Sequence, residues 1–334
     1  MTKFNNKNIA TIRRLPVNLK SKDLHLFDKE LIKFIPVSKS FKVKKAYVAN
    51  YTIMRVFPSR FFLKQTFFEK PSLKKILKDT LKDIIRTKKK VIKIDKASWV
   101  LDNKSQVYFH FIADALSRSL SIQNYGNEYP VLITPEFKDK PHLLEFLEYL
   151  NIEYIQMEEK FYFVKELLIT NHVAPSGNYN PEIVKDISAS LTKKHEITKS
   201  KKRRIWIDRK NERRDVINYD EFSKILEKFN FEIIDFKKYS LSDKNEMLMN
   251  TDCLMGVFGS GLTNMLMLPK KTKVIELRDK GDSHNNAFFS LASELNLFYY
   301  YFEVEVVGHI THGNIKIDII KLEAFLNMIF NKSS

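Results

Sequence analysis

Apolar residues fall into short continuous runs, separated by segments where they recur at helical spacing. Residues 251–277, TDCLMGVFGSGLTNMLMLPKKTKVIEL, show the pattern most clearly. The run at 253–257 predicts a buried strand and Gly259-Ser260-Gly261 a turn. Residues 262–268 predict an amphipathic helix ended by Pro269, and 274–277 a second strand. The same alternation recurs upstream. Strands are predicted at 41–57 in part, 90–102, 129–134, 152–157 and 161–170, with helices at 108–120 and 140–150. Residues 58–90 read as helical, with Leu73, Ile76, Leu77, Leu81, Ile84 and Ile85 on one stripe and lysines opposite. A second series follows: strand 204–208, helix 218–228, strand 231–236, helix 242–250, the 251–277 unit, helix 286–295, strand 298–307 and helix 317–330. Asn218 is the expected cap of the 218–228 helix, with Glu221 three residues on.

Strands and helices alternating at this spacing predict parallel sheets covered on both faces. The texture breaks at 174–202, where APSGNYNPE reads as a loop and TKSKKRR follows, so the domain boundary is expected near 185–200. The expected order is a basic, partly ordered segment 1–45, an α/β domain 46–190, a second α/β domain 200–318 and a closing helix 319–334.

Composition changes this picture modestly. The 334 residues are 44% hydrophobic, which suits real cores, and the formal net charge of +17 points to anionic partners. Much of that excess is lysine in a Lys/Ile/Asn-rich chain, so charge alone does not choose among partners. The single cysteine, Cys253, excludes an internal disulfide and lies in a predicted buried strand. No apolar run reaches the roughly 18 residues that span a bilayer, and the N-terminus lacks the apolar core of a secretory signal. A cytoplasmic protein is expected, soluble or peripheral to the inner face of the plasma membrane. The 73–90 helix is the segment that would touch an anionic membrane, and a core-facing helix is the competing reading.

Candidate chemistry clusters in two places. Two glycines flanking a serine let the backbone approach a ligand closely, and the amides opening the next helix favour an anion. Arg209 directly follows the predicted strand 204–208. With one of Arg213 or Arg214 it could clamp a pyrophosphate through paired hydrogen bonds. Glu276, expected at the end of the next strand, could accept from ribose hydroxyls. In the first half His110 and Asp114 are four apart on one helical face, and either could serve as general base. No HExxH, cysteine pair, Asp-x-Asp or Gly-x-Ser-x-Gly motif occurs, and no metal is expected. The late histidines His284, His309 and His312 lack carboxylate companions at ligand spacing.

These motifs, in this order, resemble glycosyltransferase family 61. GVFGSGLTNMLMLPKKTKVIEL is similar to the family's C-terminal signature, RIWIDRKNERRDVINYDEF to its Tyr-Ile-Ser-Arg segment, and VYFHFIADALSR to its Phe-His-x3-Asp helix. LSDKNEMLMNTDCLMG and NIKIDIIKLEAFL match its remaining helices, so the likeness covers about residues 100–330. The resemblance implies a GT-B fold: two Rossmann-like domains facing across a cleft, with the donor bound by the second. It implies inverting, metal-independent transfer from a nucleotide-sugar, a UDP-sugar by expectation, to a glycan or lipid-linked glycan in cell-surface polysaccharide synthesis. Arg209, Arg214, Gly259, Ser260, Gly261, Leu262, Thr263 and Glu276 fall at its donor positions, and His110 and Asp114 on its acceptor side. Phe258 stands where the family has histidine. The alternative function is a non-catalytic basic protein that binds nucleic acid or a membrane surface. No RRM, KH or helix-turn-helix pattern supports nucleic acid, which is not an expected partner.

Overall fold

The computed structural model describes residues 8–49, 52–55, 61–62, 72, 74, 91–123, 128–158, 161–193, 203–210, 212–308 and 313–330. Of the stretch 58–90 predicted as helical, the lysine-faced helix at 73–90 included, only 61, 62, 72 and 74 are described, and Phe61–Phe62 form a strand there because they pair with Met54 and Arg55; His309 and His312 lie outside the described residues. The chain divides into two compact units, one of Met1–Ile9 and Phe34–Ile187, the other of Ala10–Lys33 and Ser188–Ser334. A two-stranded ribbon of β1 (Ile9–Ile12) and β2 (Ile32–Ile35) opens the chain.

The first unit is built on a seven-stranded sheet. Its strands are β3 (Ser40–Ala49), β4 (Thr52–Arg55), β5 (Phe61–Phe62), β6 (Ile92–Trp99), β7 (Val131–Ile133), β8 (Tyr154–Gln156) and β9 (Phe161–Thr170). The spatial order is β5-β4-β3-β9-β6-β7-β8. Strands β9, β6, β7 and β8 pair in parallel, whereas β3, β4 and β5 add an antiparallel edge. The sheet is thus mixed, not the wholly parallel one the alternation predicts. The reason is connectivity. β3 and β4 are separated by only two residues, enough for a hairpin and far too few for a crossover. Helices Tyr108–His110, Ser117–Gln123 and Pro141–Tyr149 carry the crossovers, the first two joined by a π-helical turn at Phe111–Leu116.

The second unit has a six-stranded sheet of β10 (Arg203–Ile207), β11 (Phe231–Ile234), β12 (Thr251–Val257), β13 (Lys273–Asp279), β14 (Phe298–Val307) and β15 (Asn314–Lys316). The order is β11-β10-β12-β13-β14-β15, parallel except for β15. Strands β12 and β13 are central and almost wholly buried, as continuous apolar runs in parallel sheets require. Trp206 meets Phe222 edge-on at 4.7 Å, and Cys253, Met255 and Ile275 fill the same core. The expected Asn218 capping box is not what starts the helix Tyr219–Lys228. The Asn218 side chain makes no cap bond there and instead links to Ile317 through both its amide nitrogen and oxygen. The capping box forms one helix later, where Ser240 and Asp243 satisfy each other's amides ahead of Leu241–Met249.

Residues 10–33 of the basic N-terminal segment pack into the second unit. Val17 donates to the Tyr299 carbonyl at 2.9 Å, Asn18 bonds the Tyr301 backbone twice, and Thr11 and Arg13 reach Glu294. Phe27 is wholly buried among Phe289, Tyr299 and Tyr301. Burial of such a ring stabilises by about 1.5–3 kcal/mol. These contacts join residues some 280 positions apart (Asn18 and Tyr301 differ by 283), a distance over which local patterning carries no signal.

Among the described residues no helix is long and apolar enough to cross a membrane.

Candidate functional site

Strand order in the second sheet reverses at β10. The chain passes from β10 to β11 on one side, then to β12 on the other. Open α/β sheets take ligands beyond the carboxyl ends of their strands at such a switch. Arg209 lies two residues past the end of β10, and Gly259 two residues past the end of β12. The topology therefore brings these two predicted residues together.

Gly259 has φ +152° and ψ 170°, backbone open almost only to glycine. A Cβ there would fall under 3.0 Å from the Nη1 atoms of both Arg209 and Arg214. The two guanidiniums thus converge over the bare glycine. Arg214 donates from Nη1 to the Phe258 carbonyl at 2.6 Å, and its guanidinium carbon lies 4.1 Å from the Phe258 ring centroid. Burial, then the Arg209 charge, push Arg214 down to about 10, so it remains a cation at neutral pH. Arg209 is also lowered by burial, with Glu212 acting the other way. Its Nη1 is buried and finds no hydrogen-bond partner among the described residues. Arg213 points into solvent, which separates it from Arg214, its neighbour in the same loop.

Gly261 has a different reason for being glycine. Its Cβ would meet Ile207 Cγ2 at 3.1 Å, so the position serves close packing of the turn on β10. The segment after it is a 3-10 helix, Ser260–Met267, not an amphipathic α-helix. Leu262 through Met267 are all buried, which leaves no polar face, and the Asn264 side chain donates to the Gly261 carbonyl at 2.8 Å. Pro269 follows at once, so only a short, tight helix fits. The Leu262 amide is taken by the Gly259 carbonyl at 3.0 Å, and the Leu262 side chain is core. Thr263 is buried, and its hydroxyl finds no partner among the described residues. Ser260 and Gly261 are the residues whose amides lead the turn.

Glu276 is not at a strand end. β13 runs on to Asp279, and Glu276 is fully buried in its middle. The Tyr299 hydroxyl donates to Oε2, while Oε1 finds no partner among the described residues. Burial pushes this carboxyl up from the ordinary glutamate range, against the pull of Arg278, Tyr299 and Arg214. Its influence on the turn runs through charge acting on Arg214. Lys273, three residues upstream on the same strand, pairs with Asp252 at 3.3 Å.

In the first unit His110 Nδ1 and Asp114 Oδ2 are 2.8 Å apart, the i, i+4 pair that the spacing predicts. Asp114 is buried, and the pair spans the entry into the π-helical turn Phe111–Leu116. Phe258 was legible only as an unusual residue. Its part as the platform beneath Arg214 depends on an aromatic ring directly before the glycine turn and an arginine after β10, the parallel neighbour of β12 in the sheet.

Cys253 is core. Burial raises its thiol well above the ordinary value, so it is not a nucleophile. Among the described residues no group of three or more His, Cys, Asp or Glu stands together as a metal-holding set.

Two guanidiniums thus stand over a glycine turn at the topological switch of an α/β sheet. The family model for glycosyltransferase 61 matches residues 108–275, from the helix carrying His110 to the strand carrying Glu276. The chain belongs to the glycosyltransferase 61 family and is a glycosyltransferase, with a sugar donor and an acceptor as its substrates. A comparison with curated proteins finds no match.

Proposed function

We propose that this glycosyltransferase takes its sugar from a nucleotide-sugar, a UDP-sugar in the first instance, and inverts the anomeric centre without a metal. The observation that carries the reading is the convergence of Arg209 and Arg214 on Gly259. A diphosphate leaving group gathers charge as the glycosidic bond breaks, and something must hold that charge. In this reading the two guanidiniums and the amides of Ser260 and Gly261 hold it. We read the two units as the halves of a GT-B enzyme, the second holding the donor and the first serving the acceptor.

In this reading the acceptor hydroxyl gives its proton to the His110–Asp114 pair. Its oxygen attacks the anomeric carbon, and the carbon–oxygen bond to the nucleoside diphosphate breaks with the electron pair on the phosphate. A glycan or lipid-linked glycan of a cell-surface polysaccharide is the acceptor class, and an intracellular site peripheral to the membrane is part of the same reading.

The test is transfer or donor hydrolysis with UDP-, GDP- and CMP-sugars. Arg209→Ala is expected to cut turnover at least tenfold, and EDTA to leave it unchanged. Full activity of the variant, or loss in EDTA restored by manganese, would sink the proposal. The competing reading, a basic nucleic-acid binder, predicts salt-sensitive binding of a duplex and no turnover.

A further inference from the structure

The start of β14 carries a surface that the glycine turn does not use. Residues 10–33 meet it through a fixed set of bonds. Thr11 and Arg13 turn inward to Glu294, at 2.6 Å and 3.6 Å, and the alternating residues Ile12 and Arg14 turn out to solvent. The Arg14 amide donates to Ser293 Oγ at 3.0 Å, and its guanidinium to Asn296 Oδ1. Val17 donates to the carbonyl of Tyr299, the residue after Phe298, at 2.9 Å. Lys271 donates to the Asn296 carbonyl at 2.8 Å, and Phe298 to the Thr272 carbonyl at 3.0 Å. These bonds gather Ile12, Arg14, Leu15, Val17, Lys271 and Phe298 around the amino end of β14, all within the second unit.

Four of the side chains gathered there are large, apolar and in water. Ile12 is 79% exposed, Leu15 and Val17 53% each, and Phe298 38%. Single exposed apolar residues are ordinary, whereas several in one place mark a contact surface. The charges around them are sorted. Arg14, Lys270 and Lys271 are exposed, and the two lysines form no ion pair among the described residues. The partners shown for Arg14, Ser293 and Asn296, are neutral. The carboxylates that reach this stretch are engaged, Glu294 with Thr11 and Arg13, and Glu30 with Arg13 and Lys33. The result is an apolar patch with an uncompensated positive rim. Its complement is a surface with apolar depth under a layer of negative charge, which an anionic bilayer supplies. A bilayer takes apolar tips and cations side by side, each at its own depth, and asks for no matching shape. The formal net charge of +17 adds attraction at long range.

We propose that this patch at the amino end of β14 docks the protein on an anionic lipid bilayer. Ile12, Leu15, Val17 and Phe298 enter the headgroup layer, while Arg14, Lys270 and Lys271 meet lipid phosphates. The proposal gives a face to the membrane-peripheral location read above, and it rests on that part of the reading alone. Strand direction then fixes what stays in water. β12, β13 and β14 run parallel, so the glycine turn lies at the opposite end of the sheet, about 20 Å away along the seven residues of β12. Docked by this patch, the second unit keeps Arg209, Arg214 and Gly259 on the aqueous side, from which a water-soluble donor arrives.

Sedimentation of the full chain with vesicles tests this, comparing phosphatidylglycerol mixed into phosphatidylcholine with phosphatidylcholine alone, and with no nucleotide present. Binding is expected to the anionic vesicles only, falling steeply as salt is added. Arg14→Gln combined with Lys271→Gln should weaken it at least fivefold, since each basic residue near such a surface contributes about fivefold in affinity. Leu15→Ser combined with Val17→Ser should weaken it at least tenfold. Leu15→Trp removes no contact, and its emission should move to the blue on anionic vesicles; an unshifted spectrum overturns the proposal even where the serine variant fails to fold. Equal binding to neutral vesicles overturns it. So does binding that the paired variants leave unchanged, which would move the contact to another stretch such as 73–90. A dimer in solution that Leu15→Ser with Val17→Ser dissociates also overturns it, because a second copy would then cover the patch. The vesicle assay contains no donor, so its failure leaves the nucleotide-sugar reading standing, and absence of donor hydrolysis leaves the docking result standing.

Discussion

Gly259→Ala tests the glycine turn with the smallest possible change. The added methyl would enter the space under 3.0 Å from Arg209 Nη1 and Arg214 Nη1. Both atoms end flexible side chains, so the arginines give way before the backbone does. Arg214 is the harder to move, being bonded to the Phe258 carbonyl and stacked on its ring. The φ of +152° adds backbone strain of roughly 1–3 kcal/mol for any residue with a Cβ. Displacing one charge-assisted clamp removes about 1.5–3 kcal/mol of diphosphate binding, or roughly 10- to 150-fold in affinity. Isothermal titration with UDP measures the affinity, and a melting curve without ligand measures the strain separately. The expected variant melts several degrees lower and binds UDP at least tenfold more weakly. A variant that binds UDP like the wild type, whatever its melting temperature, would refute the idea that the bare glycine exists to admit the arginines and their anion.

Other consequences are equally direct. Arg209→Lys should rescue little of the UDP affinity lost in Arg209→Ala, because an ammonium cannot make the paired bonds of a guanidinium; titration of the two variants decides it. Phe258→Leu keeps the apolar bulk but removes the ring under Arg214, so UDP affinity should fall by a cation–π contribution of about 0.5–2 kcal/mol while the fold survives. Glu276 is raised in the folded state above its ordinary 4.5, so the native chain holds more protons than the unfolded one just above that pH. Stability from this group is therefore lost as pH rises above 4.5, and Glu276→Gln should gain on the wild type in melting temperature as pH is raised from that point. Cys253 should resist iodoacetamide in the native chain and react after unfolding, as mass spectrometry would show.

Much of the second unit was legible in the sequence because its strands are buried on both faces and read as continuous apolar runs. The 251–277 unit falls where the pattern put its two strands and turn, and the His110–Asp114 bond follows from helical spacing alone. What local pattern could not carry was long-range. The packing of Phe27 on Tyr301 and the antiparallel pairing of β3 with β9 depend on residues distant in the chain. Asn218 caps poorly because its side chain is taken by Ile317, a competition invisible until the sheet is assembled. At the site, Arg209 could be found from its place after a strand, whereas choosing Arg214 over Arg213 needed the loop geometry that turns one arginine in and the other out. Glu276 was misplaced at a strand end because β13 continues through Leu277, Arg278 and Asp279, and two of those three are charged.

The most direct measurement is a crystal structure of the full chain with UDP, grown in EDTA. The account predicts the diphosphate on the Ser260 and Gly261 amides, gripped by Arg209 and Arg214. A diphosphate bound elsewhere, or one bound only when a divalent cation is added back, would contradict it.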